Sequence, residues 1–480
     1  MNYRLISQIL GRVLALEAAL MLLPLLVCVI YGESCLPFIF AIAIALIVSL
    51  CLTRKRPLSD DLYALEGFLV VALSWVSMSI VGALPFMFSG EIPNFVDAFF
   101  EAVSGFTTTG STVLNDIEGM GKGTMFWRCF TNWIGGMGVL VFVMFVLPLS
   151  EEHSLHILRA EMPGPIVGKL VPKAQSTAKI LYIMYTAMTL VIVVLLMLGG
   201  MNLYDALVHA FSTAGTGGFS NYANGVAHFD SAYIDYVIGI GLLFFGVNFN
   251  LYFLLLIGRI GEVVRNEELL WYLSIVLSAS VIIALSVTTD YGNFGTAFRY
   301  AFFQVSSIIT TAGHITANYD LWPTIAQTIL FLLMFTGACA GGTNGGVKLS
   351  RILIAAKTLR NDIIRQIRPR EVNTVKVNGE VVSKKTQHTT TVFIVLYVFI
   401  MIAASLLVSL DNYRFDETFT AVLSCMGNIG PATGICGPVG NFVPFSDFST
   451  FVLTLCMLIG RLEIFPMLIL FMPASWKKKF

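Results

Sequence analysis

The chain has 480 residues, of which 56% are hydrophobic and only 12% are charged, and its formal net charge is zero. A typical soluble domain is about 25% charged, so this composition excludes a soluble protein and predicts an integral membrane protein. The balanced charge argues against a nucleic-acid partner, which would require a basic surface. The eight cysteines form no CxxC pair and predict neither a disulfide framework nor a metal site.

Apolar stretches long enough to cross a membrane recur along the whole chain. A spanning helix needs roughly 20 apolar residues. Ten predicted spans meet this requirement, at about 8–30, 36–52, 66–89, 125–148, 178–200, 232–257, 269–288, 322–347, 389–410 and 448–472. The first span has no small-residue cleavage site and therefore predicts a retained helix.

A short apolar helix and a loop rich in glycine and threonine lie between the spans of each later pair. Non-helical backbone at membrane depth survives only where it lines water or is buried in protein. These loops are therefore candidates for the lining of a pore. They are 107–112, 215–220, 310–314 and 427–431, and one glycine can be aligned in each: Gly110, Gly218, Gly313 and Gly430.

This layout predicts an all-α polytopic membrane protein with a fourfold pseudo-symmetric repeat of helix, pore loop and helix, as in a potassium channel. An extra two-helix hairpin precedes the repeats. We place the hairpin at 1–60 and the four repeats at 61–165, 166–266, 267–385 and 386–480.

The distribution of basic residues sets the orientation. Most of the 29 lysines and arginines fall on one side of the predicted spans, and the positive-inside rule makes that side the cytoplasm. Both termini and the basic segment 348–388 are then cytoplasmic, and all four glycine loops enter from outside. An inverted-repeat transporter would alternate the direction of its loops. The segment 348–388 is either an ordinary juxtamembrane region or a docking surface for a regulator, and the sequence leaves both open.

The side chains of the four loops are small, hydroxylic or amide, and none is acidic. Carbonyl and hydroxyl oxygens suit a weakly hydrated monovalent cation, because dipoles can replace its water without trapping it. The aligned glycines allow backbone conformations in which a Cβ would clash.

A second glycine-rich stretch, from Phe335 to Lys348, interrupts the predicted span 322–347. Five glycines in ten residues cannot stay helical, since each costs about 1 kcal/mol relative to alanine. Close helix packing through small residues is one interpretation. We favour an unwound intramembrane segment, 337–346, that gates the pore through Gly337, Gly341, Gly342, Gly345 and Gly346. A phosphate-binding loop is excluded, because Lys348 comes one residue late and is followed by Leu349.

Arg461 lies well inside the last predicted span. A basic residue at that depth is a functional candidate by default. The carbonyl groups freed by the unwound segment 337–346 are suitable acceptors for its donors, which would make it part of the gate. A structural arginine that snorkels or pairs with Glu463 is the alternative.

These features together resemble the Trk/Ktr/HKT superfamily of potassium transporters. The resemblance covers essentially the whole chain, and the leading hairpin favours the bacterial Trk-type potassium uptake membrane subunit over Ktr. The stretches that carry it are Thr107–Ser111, Gly217–Ser220, Asn428–Pro431, Ala340–Lys348 and Gly460–Glu463.

The resemblance implies potassium uptake across a bacterial inner membrane by a homodimer with one pore per subunit, in contact with membrane lipid. It also implies a peripheral cytoplasmic regulatory subunit of the Trk A type that binds nucleotides, and no covalently bound cofactor. His314 departs from the common pattern, in which an aromatic residue is frequent. The residues implied to coordinate potassium beside each glycine are Thr108 and Thr109, Thr216 and Gly217, Thr311 and Ala312, and Asn428 and Ile429.

Two other classes of function fit the sequence less well. A secondary carrier for another monovalent cation or a small solute would need charged or aromatic residues at the midplane and usually inverted repeats, and we find neither pattern. A membrane enzyme would need convergent His, Cys or acidic residues in the spans, and few occur. We therefore expect no enzymatic activity.

Overall fold

The structure, a computed structural model, describes residues 2–55, 63–138, 174–370 and 373–476. In these residues it is a bundle of helices, and the only strands are two residues long. The predicted boundaries near 60 and 165, the second half of the predicted span 125–148 and the terminal lysines lie outside the described residues. The helices present confirm the predicted fold class of a helical membrane protein with repeated units.

The N-terminal hairpin consists of α1 (Tyr3–Leu20), α2 (Leu22–Tyr31) and α3 (Leu36–Thr53). The first two helices follow one another almost without interruption and together make the first span. The hydroxyl of Ser49 donates to the carbonyl oxygen of Gly11 at 2.6 Å. A Cβ at Gly11 would come within 2.9 Å of the Ser49 carbonyl oxygen, so this glycine allows α1 and α3 to pack closely.

Four units of helix, pore helix and helix follow the hairpin in the described residues. The first contains α4 (Ala64–Ser89), α5 (Phe95–Phe106) and α6 (Lys122–Gly136). The second contains α7 (Ala174–Leu198), α8 (Leu203–Gly215), α9 (Ala232–Gly246) and α10 (Phe249–Leu256). The short α11 (Ile260–Val264) links it to the third unit, α12 (Glu267–Tyr291), α13 (Phe294–Ile309) and α14 (Thr324–Thr336). The fourth contains α16 (Lys384–Val408), α17 (Phe415–Gly427), α18 (Asp447–Arg461) and α19 (Phe465–Phe471).

The four short pore helices α5, α8, α13 and α17 each end at one of the four glycine loops. Asn94, Asn202 and Asn293 cap the first three through their side chains, which satisfies backbone donors that a helix start leaves free. The carboxyl end of a helix carries a partial negative charge. All four pore helices therefore present the end that favours a cation to the loops.

Four predicted spans are not continuous helices, which corrects the sequence-based assignment. The described part of the span 125–148 is helical only as far as Gly136, and Gly138 has a φ of 86°. The span 232–257 is the pair α9 and α10, bent by 90° at Val247–Asn248. The span 322–347 is helical only as far as Thr336. The span 448–472 breaks at Leu462–Ile464, where Glu463 and Ile464 have φ of 60° and 63°. In the described residues six helices are long and apolar enough to cross a membrane, or seven if the bent pair counts as one.

The last part of repeat 3 forms α15 (Leu349–Ile367) and a hairpin of β1 (Lys376–Val377) and β2 (Glu380–Val381). The strands are antiparallel, with Lys376 opposite Val381 and the turn at Asn378–Gly379. Ile354 on α15 packs with Val375, Val377 and Val382 in a small separate core. The hairpin is therefore fixed against the helix that follows the glycine-rich segment 337–346.

Candidate cation filter and gate

Each pore helix holds its loop by the same backbone hydrogen bond. The acceptor is the carbonyl oxygen of a serine six residues before the aligned glycine, and the donor is the amide of the residue directly before that glycine. The sequence contains this serine in all four repeats, so alignment of the repeats could have found it. The bonds are Thr109 N to Ser104 O at 2.8 Å, Gly217 N to Ser212 O at 2.9 Å, Ala312 N to Ser307 O at 2.8 Å and Ile429 N to Ser424 O at 2.9 Å.

The four loops also share one backbone conformation. The aligned glycines have φ between 73° and 105°, in the left-handed region that a glycine adopts without cost. The residue two positions earlier is left-handed as well, although it is never glycine. Such conformations cost of order 1–3 kcal/mol each and persist where the surroundings enforce them, mostly at functional sites. The residues are Thr108 (φ 55°), Thr216 (φ 53°), Thr311 (φ 57°) and Asn428 (φ 54°).

The loops meet in a closed ring around a common centre. A Cβ at each aligned glycine would collide with the carbonyl oxygen of the residue before the next loop's glycine. This relation runs in chain order and returns to its start. Gly110 faces the oxygen of Gly217, Gly218 faces that of Ala312, Gly313 faces that of Ile429, and Gly430 faces that of Thr109 at 2.7 Å. The structure thus brings together all twelve predicted filter residues.

Side chains behind the ring hold it in place. Asn428 Nδ2 donates to Thr109 Oγ1 at 3.0 Å, which ties the fourth loop to the first. Ser424 Oγ donates to the carbonyl oxygen of Gly430 at 2.7 Å. The hydroxyl of Thr108 is fully buried and has no hydrogen-bond partner among the described residues.

His314 follows the third filter glycine and is almost completely buried. Its carbonyl oxygen accepts from Ser307 Oγ at 2.7 Å, and its ring stacks on that of His209 with centroids 6.4 Å apart. The side chain therefore packs behind the loop.

A vestibule opens on one side of the ring. It is lined by the four aligned glycines, by residues that follow them such as Ser111 and Ser220, and by Arg128. Arg128 is buried and pairs with Glu101, Nε to Oε1, at 2.6 Å. Neither residue belongs to a recognisable motif. The signal that could have found them is a basic residue inside the predicted span 125–148.

The segment 337–346, here called the gating segment, covers the other side of the ring. The hydroxyl oxygens of Thr343 and Thr216 lie 3.4 Å apart, and the Gly345 amide donates to Thr311 Oγ1 at 2.7 Å. A Cβ at Gly345 would lie 2.6 Å from the carbonyl oxygen of Gly427. The gating segment is therefore in direct contact with the second, third and fourth filter loops.

Backbone hydrogen bonds fasten the gating segment to the bend between α9 and α10. Cys339 N donates to Gly246 O at 3.1 Å, Thr343 N to Phe245 O at 3.1 Å, and Phe249 N to Gly341 O at 3.0 Å. The bend frees the carbonyl groups of α9 for these contacts, because its last turn is not continued. The bend between α9 and α10 and the unwound gating segment thus supply hydrogen-bond partners for each other's free backbone groups.

The glycines of the gating segment have two separate roles. Gly337, Gly341 and Gly346 have φ of 66°, 82° and 73°, which only glycine adopts readily. Gly342 and Gly345 instead permit close contact, since a Cβ at Gly342 would lie 2.7 Å from the Gly246 carbonyl oxygen. Both roles agree with an unwound segment packed in protein.

Arg461 joins the gating segment to the first repeat. Its Nη1 donates to the carbonyl oxygen of Thr343 at 2.8 Å. Its Nη2 donates to the carbonyl oxygens of Gly135 at 2.5 Å and Gly136 at 2.9 Å, at the end of α6. The expected acceptors in the gating segment are thus present, and the contacts with α6 are new.

Glu463 has a different partner from the one that the sequence suggested. Its carboxylate forms a bidentate ion pair with Arg351 on α15. The two residues are far apart in the sequence, so this pair could not be predicted from it. The guanidinium of Arg351 also lies 4.0 Å from the ring centroid of Phe393. This pair connects the helix after the gating segment to the break after α18.

Two further buried charged residues support the gating segment and have no sequence motif. Lys348 Nζ donates to the carbonyl oxygen of Asn344. The Glu268 carboxylate accepts from the amides of Ala340 at 2.8 Å and Ser350 at 3.0 Å. The amine therefore binds backbone of its own loop.

Known proteins are similar to this chain in both sequence and fold. The family model described as TrkH, cation transport protein, matches residues 38–478. The chain is 35% identical over 489 residues to the Trk system potassium uptake protein TrkH of Salmonella typhimurium, with 100% of each chain covered. It is 32% identical over 490 residues to the Trk system potassium uptake protein TrkG of Escherichia coli K12, with 99% of each covered.

The crystal structure of the potassium transporter TrkH from Vibrio parahaemolyticus superposes with a TM-score of 0.89 at 32% identity. The match covers 99% of this chain and 100% of the other. All of these relatives are named as transport proteins, which agrees with the expectation that the chain is not an enzyme. The similarity extends over the hairpin, the pore loops and the gating segment.

Proposed function

Because the chain belongs to the TrkH family of cation transport proteins, we propose that it takes up potassium ions through the centre of the four-loop ring. The ion binds as substrate between the backbone carbonyl and hydroxyl oxygens of the filter residues. These are Thr108, Thr109, Gly110, Thr216, Gly217, Gly218, Thr311, Ala312, Gly313, Asn428, Ile429 and Gly430. No resident cofactor takes part.

The closed relation between glycines and carbonyl oxygens is the observation that carries this proposal. It supports a ring in which every loop contributes the same group to one central space. The ring residues include no carboxylate, so a divalent ion would find no charge to compensate its dehydration. Carbonyl dipoles suit a monovalent ion that gives up its water easily. The four pore-helix ends add a favourable field.

We further propose that the gating segment and Arg461 obstruct the pore on the side away from the vestibule. The contacts of Thr343 and Gly345 with the filter threonines support this position. The guanidinium adds a fixed positive charge near the path. At an effective dielectric of about 20 and about 8 Å, such a charge repels a potassium ion by about 2 kcal/mol, roughly a thirtyfold effect.

Release of the gate requires a signal from the cytoplasm. We propose a bacterial inner-membrane location with cytoplasmic termini, a homodimer with one pore per subunit, and a nucleotide-binding regulatory subunit that docks on the segment 348–388. Arg360, Arg365 and Arg368 supply basic charge on this segment. The pair of Arg351 with Glu463 joins it to α18, which carries Arg461.

Uptake of potassium or rubidium in a potassium-auxotrophic host tests the function. We expect growth on low potassium with the chain and none with an empty vector. The matched control is a variant with serine at both Gly110 and Gly430, inserted in the membrane at the same level. A host that gains no uptake, or that gains it equally with the double variant, would overturn the proposal.

A further inference from the structure

Arg128 lies where a cation pathway is least expected to hold a basic residue. Its side chain is 2% exposed and lines the vestibule together with the filter glycines. Among the described residues that line this vestibule, Arg128 is the only charged one. An unopposed positive charge there would repel the ions that approach the filter.

The guanidinium holds the outer part of the second loop. Its Nη1 donates to the carbonyl oxygen of Ser220 at 3.1 Å, and its Cζ lies 3.6 Å from the ring centroid of Phe219. Both residues come directly after Gly218. Arg128 therefore positions the backbone on which the second quarter of the ring depends.

Glu101 holds the outer part of the first loop and binds the arginine at the same time. Its carboxylate is fully buried and accepts from the Thr112 hydroxyl at 3.0 and 3.2 Å, and from the Val113 amide at 3.0 Å. Its Oε1 accepts from Arg128 Nε. The pair thus ties two neighbouring filter loops together.

Comparison of the repeats shows that this carboxylate is specific to the first one. Glu101 stands nine residues before its filter glycine, and the residues at that position in the other repeats are His209, Gln304 and Ala421. Gln304 also binds its own loop, since its side-chain amide oxygen accepts from the backbone amides of Thr316 at 2.9 Å and Ala317 at 3.2 Å. A neutral side chain can therefore fasten a loop at this position. A carboxylate is needed only where an arginine must be compensated.

We propose that Glu101 is a positioning residue that neutralises Arg128, so that the arginine can brace two filter loops without repelling incoming potassium. This inference rests on the proposed function. Glu101, which lies outside the filter, would then control the apparent affinity for potassium at the vestibule.

The test is a double-mutant cycle on rubidium uptake, with KM and the potassium-to-sodium ratio measured at low external ionic strength. Glu101→Gln keeps the shape of the side chain but leaves the positive charge of Arg128 without a compensating carboxylate. We therefore expect KM to rise about tenfold. Raising the ionic strength with choline chloride screens the part of its field that extends into the vestibule, and should reduce the increase. Arg128→Gln added to Glu101→Gln should return KM to within about twofold of the original value, while loss of the brace between the two loops should lower the potassium-to-sodium ratio.

A merely structural role predicts the opposite pattern. The double variant has lost every bond of the pair, so its KM would then be at least as high as that of Glu101→Gln. Choline chloride would leave both KM values unchanged. Either result overturns the proposal. Uptake by the unchanged protein and by the filter-glycine variants is measured in parallel, since a failure there concerns the proposed function and not Glu101.

Glu101→Gln can also fail to accumulate in the membrane. The comparison is then between Arg128→Gln and the double variant at external pH 8.5. The proposal expects a lower KM in Arg128→Gln, whose remaining carboxylate attracts cations. Equal KM values in the two variants would contradict it.

Discussion

Arg461 donates a hydrogen bond to the carbonyl oxygen of Thr343 at 2.8 Å, across 118 residues of sequence. The hydroxyl of Thr343 in turn lies 3.4 Å from that of Thr216 in the second filter loop. One short series of contacts therefore connects an arginine of the last repeat to the filter through the gating segment. A substitution of Arg461 should therefore change the potassium flux.

Replacement of Arg461 by alanine should raise potassium flux, by up to about thirtyfold if the whole repulsion is removed. Arg461→Lys keeps the charge but loses the planar set of donors, so its flux should fall between the two. The measurement is initial rubidium uptake per molecule in the membrane. Arg259→Ala is the control, since it removes an arginine from an exposed pair with Glu262 that contributes little. An inactive Arg461→Ala protein that inserts normally would mean that the arginine is structural.

Excision of the gating segment should produce a leaky pore. Gly337 and Gly346 already touch at the neck of the segment, where a Cβ on Gly346 would lie 3.2 Å from the Gly337 Cα. Consecutive Cα atoms are 3.8 Å apart, so residues 338–345 can be removed and the ends joined with little movement. We expect higher uptake that no longer depends on a cytoplasmic regulator. Uptake below the original level, with normal insertion, would assign the segment a structural role.

Serine at a filter glycine should reduce the preference for potassium over sodium. Gly110→Ser forces a Cβ against the Gly217 carbonyl oxygen, while Gly430→Ser makes a looser contact of 2.7 Å with that of Thr109. The first should therefore cost more selectivity, about tenfold, which corresponds to about 1.4 kcal/mol. Competition of sodium with rubidium uptake measures this ratio.

The control for these variants is Gly90→Ser. Gly90 has a φ of 79°, close to the 80° of Gly110, but nothing lies within 4 Å of a Cβ there. The backbone strain is thus matched and the contact with a filter carbonyl is absent. Equal selectivity in all three variants would show that the ring is not the filter.

Cysteine labelling should place the β hairpin in the cytoplasm. Glu380 is exposed on β2, so a cysteine there should react with an impermeant maleimide only after the membrane is opened. Asn224→Cys, an exposed position close to the vestibule, should react in intact cells. Labelling of position 380 from outside would reverse the proposed orientation.

The repeats and the filter glycines could be predicted because they are local patterns. A glycine at a fixed distance after a short apolar helix is visible in each repeat, and the ring of Gly110, Gly218, Gly313 and Gly430 assembles from four such units. The unwound segment could be located for the same reason, since a concentration of glycines disfavours a helix wherever it occurs.

The partners of the buried charged residues could not be predicted in this way. Glu463 is two residues from Arg461 in sequence, yet the structure pairs it with Arg351 on α15. The bend at Val247–Asn248 is likewise invisible in an apolar run. It is stabilised by hydrogen bonds with residues 339–343, which lie in the next repeat. Contacts between distant segments decide such features, and no window of sequence contains them.

The four sides of the ring are encoded separately, because all of its loops belong to one chain. In a pore of four identical subunits, a single codon change alters every side at once. Here it alters one side, and the residues before the glycines already differ, being Thr109, Gly217, Ala312 and Ile429. A single natural substitution can therefore alter one of the four sides of such a ring and leave the other three unchanged. A substitution that would abolish selectivity in a symmetric channel, where it occurs four times, can here reduce selectivity in part.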